Sequence, residues 1–450
     1  MFHLLFILII ATVLRLYNLT AISLWHDEAF SALLVKYNFS EMMHRIALDV
    51  HPPFYYLALR CWDLFFGNSL FSIRMFSVLF GVLIVLGVYL LVKEIFKNNR
   101  LALFASLLVA VNPFQIQYAS EARMYTLGTF LIIFSSYFLL KAISSCHSRS
   151  LFCHSRKNGN LWWLLYILFA SAAIYTHYYI FFSIFAQVIF VLYIILRESK
   201  FNISAFIKNK IFRYSILVYS LITFSYLPWL KTFLKQIGQV QENYWIPAMN
   251  FWSIPNTFYK MTFELPISFL KTEYILTALM IIISAIIVSV LKKKKQPAKW
   301  LIFFSLIIPF AIASIFSFKT SVYLDRYFIF VSAFYLIFIA LGIFLIKNKF
   351  TKTVISSIII LGCVCGFIYN WNSLDIKNKS GMAGAAAYLN QEIMPKDKIF
   401  VGSSFVYFTF KYYNQTLVHP KLFAPGKLSH FSGTALLLPC PVACLLSSPD

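Results

Sequence analysis

Trp25-His26-Asp27-Glu28, followed by His51-Pro52-Pro53, stands on a connection, residues 20–69, between two apolar segments at 1–19 and 70–92. About 20 apolar residues span a bilayer as a helix, so both flanking segments read as membrane helices. Adjacent carboxylates at a membrane surface are unfavourable unless partners or chemistry hold them there. Asp27 and Glu28 therefore point to acid or base work on a lipid-borne molecule. A capping role competes evenly: Asp27 could begin a helix through residues 30–35, with Glu28 at its positive end.

The 450 residues are 60% hydrophobic, 19% aromatic and only 12% charged, well outside the soluble range of about 25% charged. The formal charge of +23 comes from short Lys and Arg runs between apolar segments, the signature of cytoplasmic loops rather than of a nucleic-acid surface. The seven cysteines form no disulfide or zinc framework, and the Cys-His-Ser-Arg repeat at 146–149 and 153–156 reads as a chance duplication in a basic loop. The N-terminus lacks the basic start and cleavage site of a signal peptide and reads as a retained first helix.

Apolar segments of spanning length lie near 1–19, 70–92, 101–118, 125–143, 161–177, 179–196, 213–230, 271–291, 300–318, 327–346 and 353–371, about 11 in all. With a cytoplasmic N-terminus, the inner connections 93–100, 141–160, 197–213, 292–299 and 347–352 are all basic, including Lys292-Lys293-Lys294-Lys295. This sorting follows the positive-inside rule and places every candidate functional residue on the outer side. The expected architecture is an all-α, multi-pass cell-membrane protein. A membrane domain occupies 1–371, with amphipathic interfacial helices near 41–48 and 54–66. A small extracytoplasmic α/β domain occupies 372–450, helical around 382–391 and strand-like at 398–401. The last stretch, 436–450, reads as an edge strand or as a prematurely ended chain.

Further candidates gather on the outer face. His51 precedes a helix that Pro52-Pro53 would start, running through Tyr55 and Tyr56. Glu121-Ala122-Arg123-Met124-Tyr125 sits at the outer end of two helices, where an arginine suits phosphate through forked hydrogen bonds. Snorkelling, or pairing with Glu121, is the plainer role. Thr176-His177-Tyr178-Tyr179 adds a polar aromatic cluster, and Asp325-Arg326-Tyr327 a second arginine. A phosphate-bearing lipid carrying a sugar accounts for all of them together, with bound phosphate as leaving group and a carboxylate activating the acceptor. No cofactor is required, because arginine can neutralise the leaving phosphate; a divalent cation held by Asp27, Glu28 and His51 stays open. A transporter or flippase for lipid-linked sugars is the rival reading. It would need mid-helix polar faces and repeats with broken helices, which this sequence does not display.

Read in order, Leu24-Trp25-His26-Asp27-Glu28-Ala29, His51-Pro52-Pro53-Phe54-Tyr55-Tyr56, Ile73-Arg74-Met75-Phe76-Ser77, residues 118–125, Thr176-His177-Tyr178-Tyr179 and Asp325-Arg326-Tyr327 resemble a known family. It is the polytopic GT-C glycosyltransferases of the dolichyl-phosphate-mannose protein mannosyltransferase-like group, to which bacterial lipid A aminoarabinose transferases also belong. The resemblance implies transfer of a single hexose or pentose, mannose-like or other, from a polyprenyl-phosphate donor. It implies inversion at the anomeric carbon and an extracytoplasmic protein, lipid or glycan acceptor. On the matching positions, Asp27 becomes the base and Glu28 a supporting acid or acceptor contact. His51, Tyr55, Glu121, Arg123, Tyr125, His177, Tyr178 and Arg326 become substrate-binding candidates, with Arg123 and Arg326 on the phosphate.

Overall fold

The structure is a computed structural model describing residues 2–146, 156–242, 246–265, scattered positions within 275–286, 296–373, 381–423, 433–437 and 445–446. The second Cys-His-Ser-Arg copy but for its arginine, the Lys292–295 run and most of the 271–291 segment lie outside the described residues, as does most of 438–450.

The chain is mostly helical. In order come α1 (Phe2–Leu16), α2 (His26–Leu34), α3 (Phe39–Leu48), α4 (Phe54–Phe66), α5 (Leu70–Phe96), α6 (Asn99–Val111), α7 (Pro113–Ala119) and α8 (Tyr125–Cys146). Then follow α9 (Arg156–Ile174), α10 (Ile180–Glu198), α11 (Ile203–Lys208), α12 (Lys210–Glu242), α13 (Ser253–Lys260), α14 (Lys299–Ser317), a 3-10 turn at Asp325–Phe328, α15 (Ile329–Leu345) and α16 (Lys349–Ser373). The tail adds α17 (Gly381–Glu392), α18 (Ser404–Tyr413) and α19 (Thr434–Leu437). Its parallel strands are β1 (Phe400–Val401), β2 (Lys421–Phe423) and β3 (Leu445–Leu446), with Val401 opposite Leu422 and Leu422 opposite Leu445.

Ten of the eleven expected segments coincide with helices, and the chain is a multi-pass membrane protein. Among the described residues seven helices are long and apolar enough to cross a bilayer, or eight if α6 and α7 count as one bent span. Phe2–Leu16 and Asn160–Ile174 are shorter, below the length of a perpendicular span. The count of eleven is thus not reproduced by helix length.

Two local devices place the site. The first is the 59° bend between α6 and α7. Pro113 lacks an N–H and starts a new helix. Asn112 caps it by accepting from Gln115 N–H at 3.0 Å and donates to the Met261 carbonyl at 2.9 Å. Arg15, fully buried in α1, closes the open end of α6 by donating to the carbonyls of Ala110 (3.0 Å) and Val109 (3.2 Å). The bend delivers Ser120–Arg123 to the underside of α2. The second device is the tail, which shares a core with the first connection instead of holding one of its own. Phe30 meets Phe408 at 6.0 Å, and the His26 ring lies between Phe405 and Phe408. The Tyr413 hydroxyl accepts from Leu24 N–H at 3.0 Å, and Arg45 donates to the Ala435 carbonyl at 2.8 Å.

Candidate active site

Helix α2 begins at His26, with Asp27 and Glu28 in its first turn and Trp25 as the flanking residue. Successive helical residues point about 100° apart, so the two carboxylates face different surroundings. Glu28 is 0% exposed and saturated. It accepts from Arg74 Nε at 2.9 Å and Nη2 at 2.7 Å, from Ala122 N–H at 2.7 Å and from Trp25 N–H at 3.3 Å. The last bond is the helix-capping contact, made by Glu28 and not by Asp27. Arg74 spends its remaining donors on the carbonyls of Leu19, Ile22 and Ser23. This pair clamps the start of α2 to α5 and to the turn after α7.

Asp27 has a different setting. Its side chain is 31% exposed, and its carboxylate faces Arg123 Nη2 at 3.8 Å and Arg326 Nη1 at 4.0 Å. These distances are attractive without being direct hydrogen bonds, so an oxygen atom of Asp27 remains available to a substrate proton. Arg123 is 3% exposed and donates to the Asp27 carbonyl and to Ser31 Oγ, both at 3.2 Å. Burial works against its charge, but Asp27 and the surrounding tyrosines outweigh that and keep it ionised. Arg326, 23% exposed, lies with its guanidinium 5.8 Å above the Trp25 ring. Its turn is fixed by Asp325, which takes Lys260 Nζ at 2.5 Å and the Thr257 hydroxyl.

His51 and His177 complete the inner wall, with ring centres 5.9 Å apart. His51 Nδ1 lies 3.1 Å from Asp49 Oδ2, and its Nε2 lies 3.5 Å from Arg123 Nη2. Burial works against ionisation of Asp49, yet the bond to His51 prevails and holds its carboxyl below the usual range. His177 packs against Tyr327 and Phe330, and burial, then His51 and the two arginines, drive its pKa well down, leaving a neutral imidazole. Tyr55 and Tyr125 are fully buried beside this cluster, Tyr125 with its ring 6.4 Å from His177.

Of the expected residues, Asp27, His51, Arg123, Tyr125, His177 and Arg326 converge. Glu28 serves the clamp. Glu121 lies on the side of Glu28, in a separate cleft. Tyr178 points away: it bonds the Gln236 side chain and accepts from Trp229 Nε1 at 3.2 Å. The sequence leaves a cation between Asp27, Glu28 and His51 open, and the surroundings of Glu28 bear on it. Glu28 is consumed by N–H donors, and among the described residues no three His, Cys, Asp or Glu side chains converge as metal ligands. Arg74 and Asp49 received no role from the sequence. Arg74 stood in a quoted motif, four residues into a membrane helix, and that position is its only signal.

Residues 50–229 match the family model described as dolichyl-phosphate-mannose-protein mannosyltransferase. Two structures of ArnT from Cupriavidus metallidurans superpose on nearly the whole chain. The form bound to undecaprenyl phosphate has a TM-score of 0.66 at 13% identity, covering 97% of this chain and 88% of that one. The apo form gives 0.64 at 13% identity, covering 99% and 89%. The fold is that of the GT-C glycosyltransferases. An Archaeoglobus fulgidus oligosaccharyltransferase, solved with zinc and sulfate, superposes at TM-score 0.53 and 14% identity, over 93% of this chain and 62% of its own. No curated protein matches by sequence.

Proposed function

We propose that the chain is a membrane glycosyltransferase that moves one sugar from a polyprenyl-phosphate donor to an extracytoplasmic acceptor, with inversion. The observation that carries this reading is Asp27, partly exposed between Arg123 and Arg326. In the reaction the acceptor hydroxyl gives its proton to Asp27 while its oxygen bonds to the anomeric carbon. The bond from that carbon to the phosphate oxygen breaks, and polyprenyl phosphate leaves with the electron pair. Arg326, the more exposed arginine, meets the phosphate through its fork. Arg123, buried beneath, pairs with the Asp27 carboxylate and holds its backbone carbonyl. His177, neutral, contributes a polar wall without adding charge. The ArnT bound to undecaprenyl phosphate, and the archaeal oligosaccharyltransferase solved with a dolichol-phosphate, support a donor of this class.

The outward placement of the site follows the charge of the connections, and it makes the acceptor extracytoplasmic. The test uses purified protein in lipid with a radiolabelled polyprenyl-phosphate-sugar pool, following free polyprenyl phosphate. Acceptor-dependent release supports the proposal. Movement of intact labelled lipid between leaflets, without release, makes the protein a flippase instead.

A further inference from the structure

A cavity of about 240 Å³ opens behind the Glu28–Arg74 clamp, between α1, α7 and α16. Its walls are aromatic: Trp25, Tyr17 and Trp371, the last two in edge-to-face contact at 5.2 Å. Set among them are Gln117, Ser120, Glu121 and Asn370.

Its charge argues against a phosphate. Neither Arg123 nor Arg326 lines it. The one arginine that does, Arg74, is committed to Glu28 and to three carbonyls. The Glu121 carboxyl, by contrast, makes no hydrogen bond or ion pair among the described residues. Burial and then the charge of Glu28 push its pKa up to about 8, so near neutrality it is an unmatched group able to donate as well as accept. The rest of the lining is mostly apolar, with a few polar groups set into it. Gln117, with its amide nitrogen turned toward Glu264, and Asn370 both donate to that carboxylate, at 2.9–3.0 Å and 3.1 Å, so their amides are held in place. Helix α16 comes close enough for this because of Gly366: a Cβ there would lie 1.9 Å from the Phe263 carbonyl oxygen. Aromatic walls with a few oriented amide and carboxyl groups are what a neutral, hydroxyl-bearing ring needs from a protein. Trp25 belongs both to this cleft and, through Arg326 over its ring, to the site around Asp27.

We propose that the α1–α7–α16 cleft, which meets the Asp27 site at Trp25, binds a neutral sugar ring of the acceptor. The proposal rests on the glycosyltransferase reading above, and it is tested with a readout that does not need turnover. Methyl α-mannopyranoside and methyl β-glucopyranoside are offered to the full chain in nanodiscs, and saturation transfer from protein to glycoside is recorded by NMR. Polyprenyl phosphate release to water is measured in parallel. The variants are Ile22→Trp, which fills the cleft from a residue outside the reacting centre, and Glu121→Ala. The expected result is binding by wild type and about tenfold weaker binding in both variants, with polyprenyl phosphate still released to water by wild type. Equal signals in wild type and both variants would overturn the cleft assignment. So would the absence of any signal from a wild type that still releases polyprenyl phosphate. Cleft-dependent binding without release would leave the cleft standing and remove the glycosyltransferase reading.

Discussion

Glu28→Gln separates the two roles that adjacent carboxylates invite. In the structure Glu28 is wholly buried and accepts four N–H groups, two of them from Arg74, which is itself buried. The amide keeps the shape but removes the charge, and it turns one oxygen into a donor facing a guanidinium that can only donate. Breaking one partner of a buried ion pair costs about 3–5 kcal/mol. The three carbonyls that still hold Arg74 place the expectation at the lower end, about 3 kcal/mol. At about 1.4 kcal/mol per factor of ten, the joint between α2 and α5 should open about a hundredfold more often. Hydrogen exchange followed by mass spectrometry on peptides covering residues 19–34 and 70–77 reads this directly. Turnover per molecule that retains native exchange should fall less than in Asp27→Asn. Unchanged exchange, combined with a loss of turnover as severe as that of Asp27→Asn, would refute the clamp and make Glu28 a reacting group.

Other consequences are equally direct. Arg326→Lys keeps the charge but not the fork, and should raise the KM for a polyprenyl-phosphate donor about tenfold at little cost in stability. Arg15→Met leaves the Val109 and Ala110 carbonyls without their donor. It should lower the thermal midpoint, by an amount set by roughly 1–3 kcal/mol per orphaned buried group. Glu121 titrates near 8 when folded, against about 4.3 when unfolded, so the folded state binds the extra proton. Stability from this group is present at low pH and is lost as pH rises toward 8. His177 works in the opposite sense only below about 6.5, because its folded pKa is depressed. Burial pushes Glu264 up to about 7, so it adds a decline of the same sign below that pH; between pH 7 and 8 melting should decline with pH in wild type and more shallowly in Glu121→Gln.

Much of this site was legible because its residues stand at helix ends. Asp27, Arg123, His177 and Arg326 each interrupt or border an apolar run, where a charged or polar side chain demands a reason. What the sequence hid was direction. Asp27 and Glu28 are neighbours in the chain, but the helix starts at His26 and turns Glu28 inward to Arg74. His177 and Tyr178 diverge in the same way, one toward Tyr327 and the other toward Gln236. Asp49 gave no signal, being an ordinary acid at a helix end whose meaning comes only from His51. The membrane helices were visible from apolarity and the amphipathic α3 and α4 from their pattern. The bend at Asn112-Pro113 was not, because apolar residues continue across it. The tail's dependence on Phe30 and His26 was equally hidden, since packing partners more than 370 residues apart leave no local trace.

The central claim is that Asp27 takes the proton of the acceptor hydroxyl. Asp27→Asn, purified in lipid, should release polyprenyl phosphate about 10²–10⁴-fold more slowly than wild type. Its affinity for the lipid-phosphate donor should stay close to wild type, because Arg326 keeps its fork, and its melting midpoint should fall only by what the buried Arg123 loses with the Asp27 charge. Release at the wild-type rate per folded molecule would contradict the claim and reduce Asp27 to a partner for its two arginines.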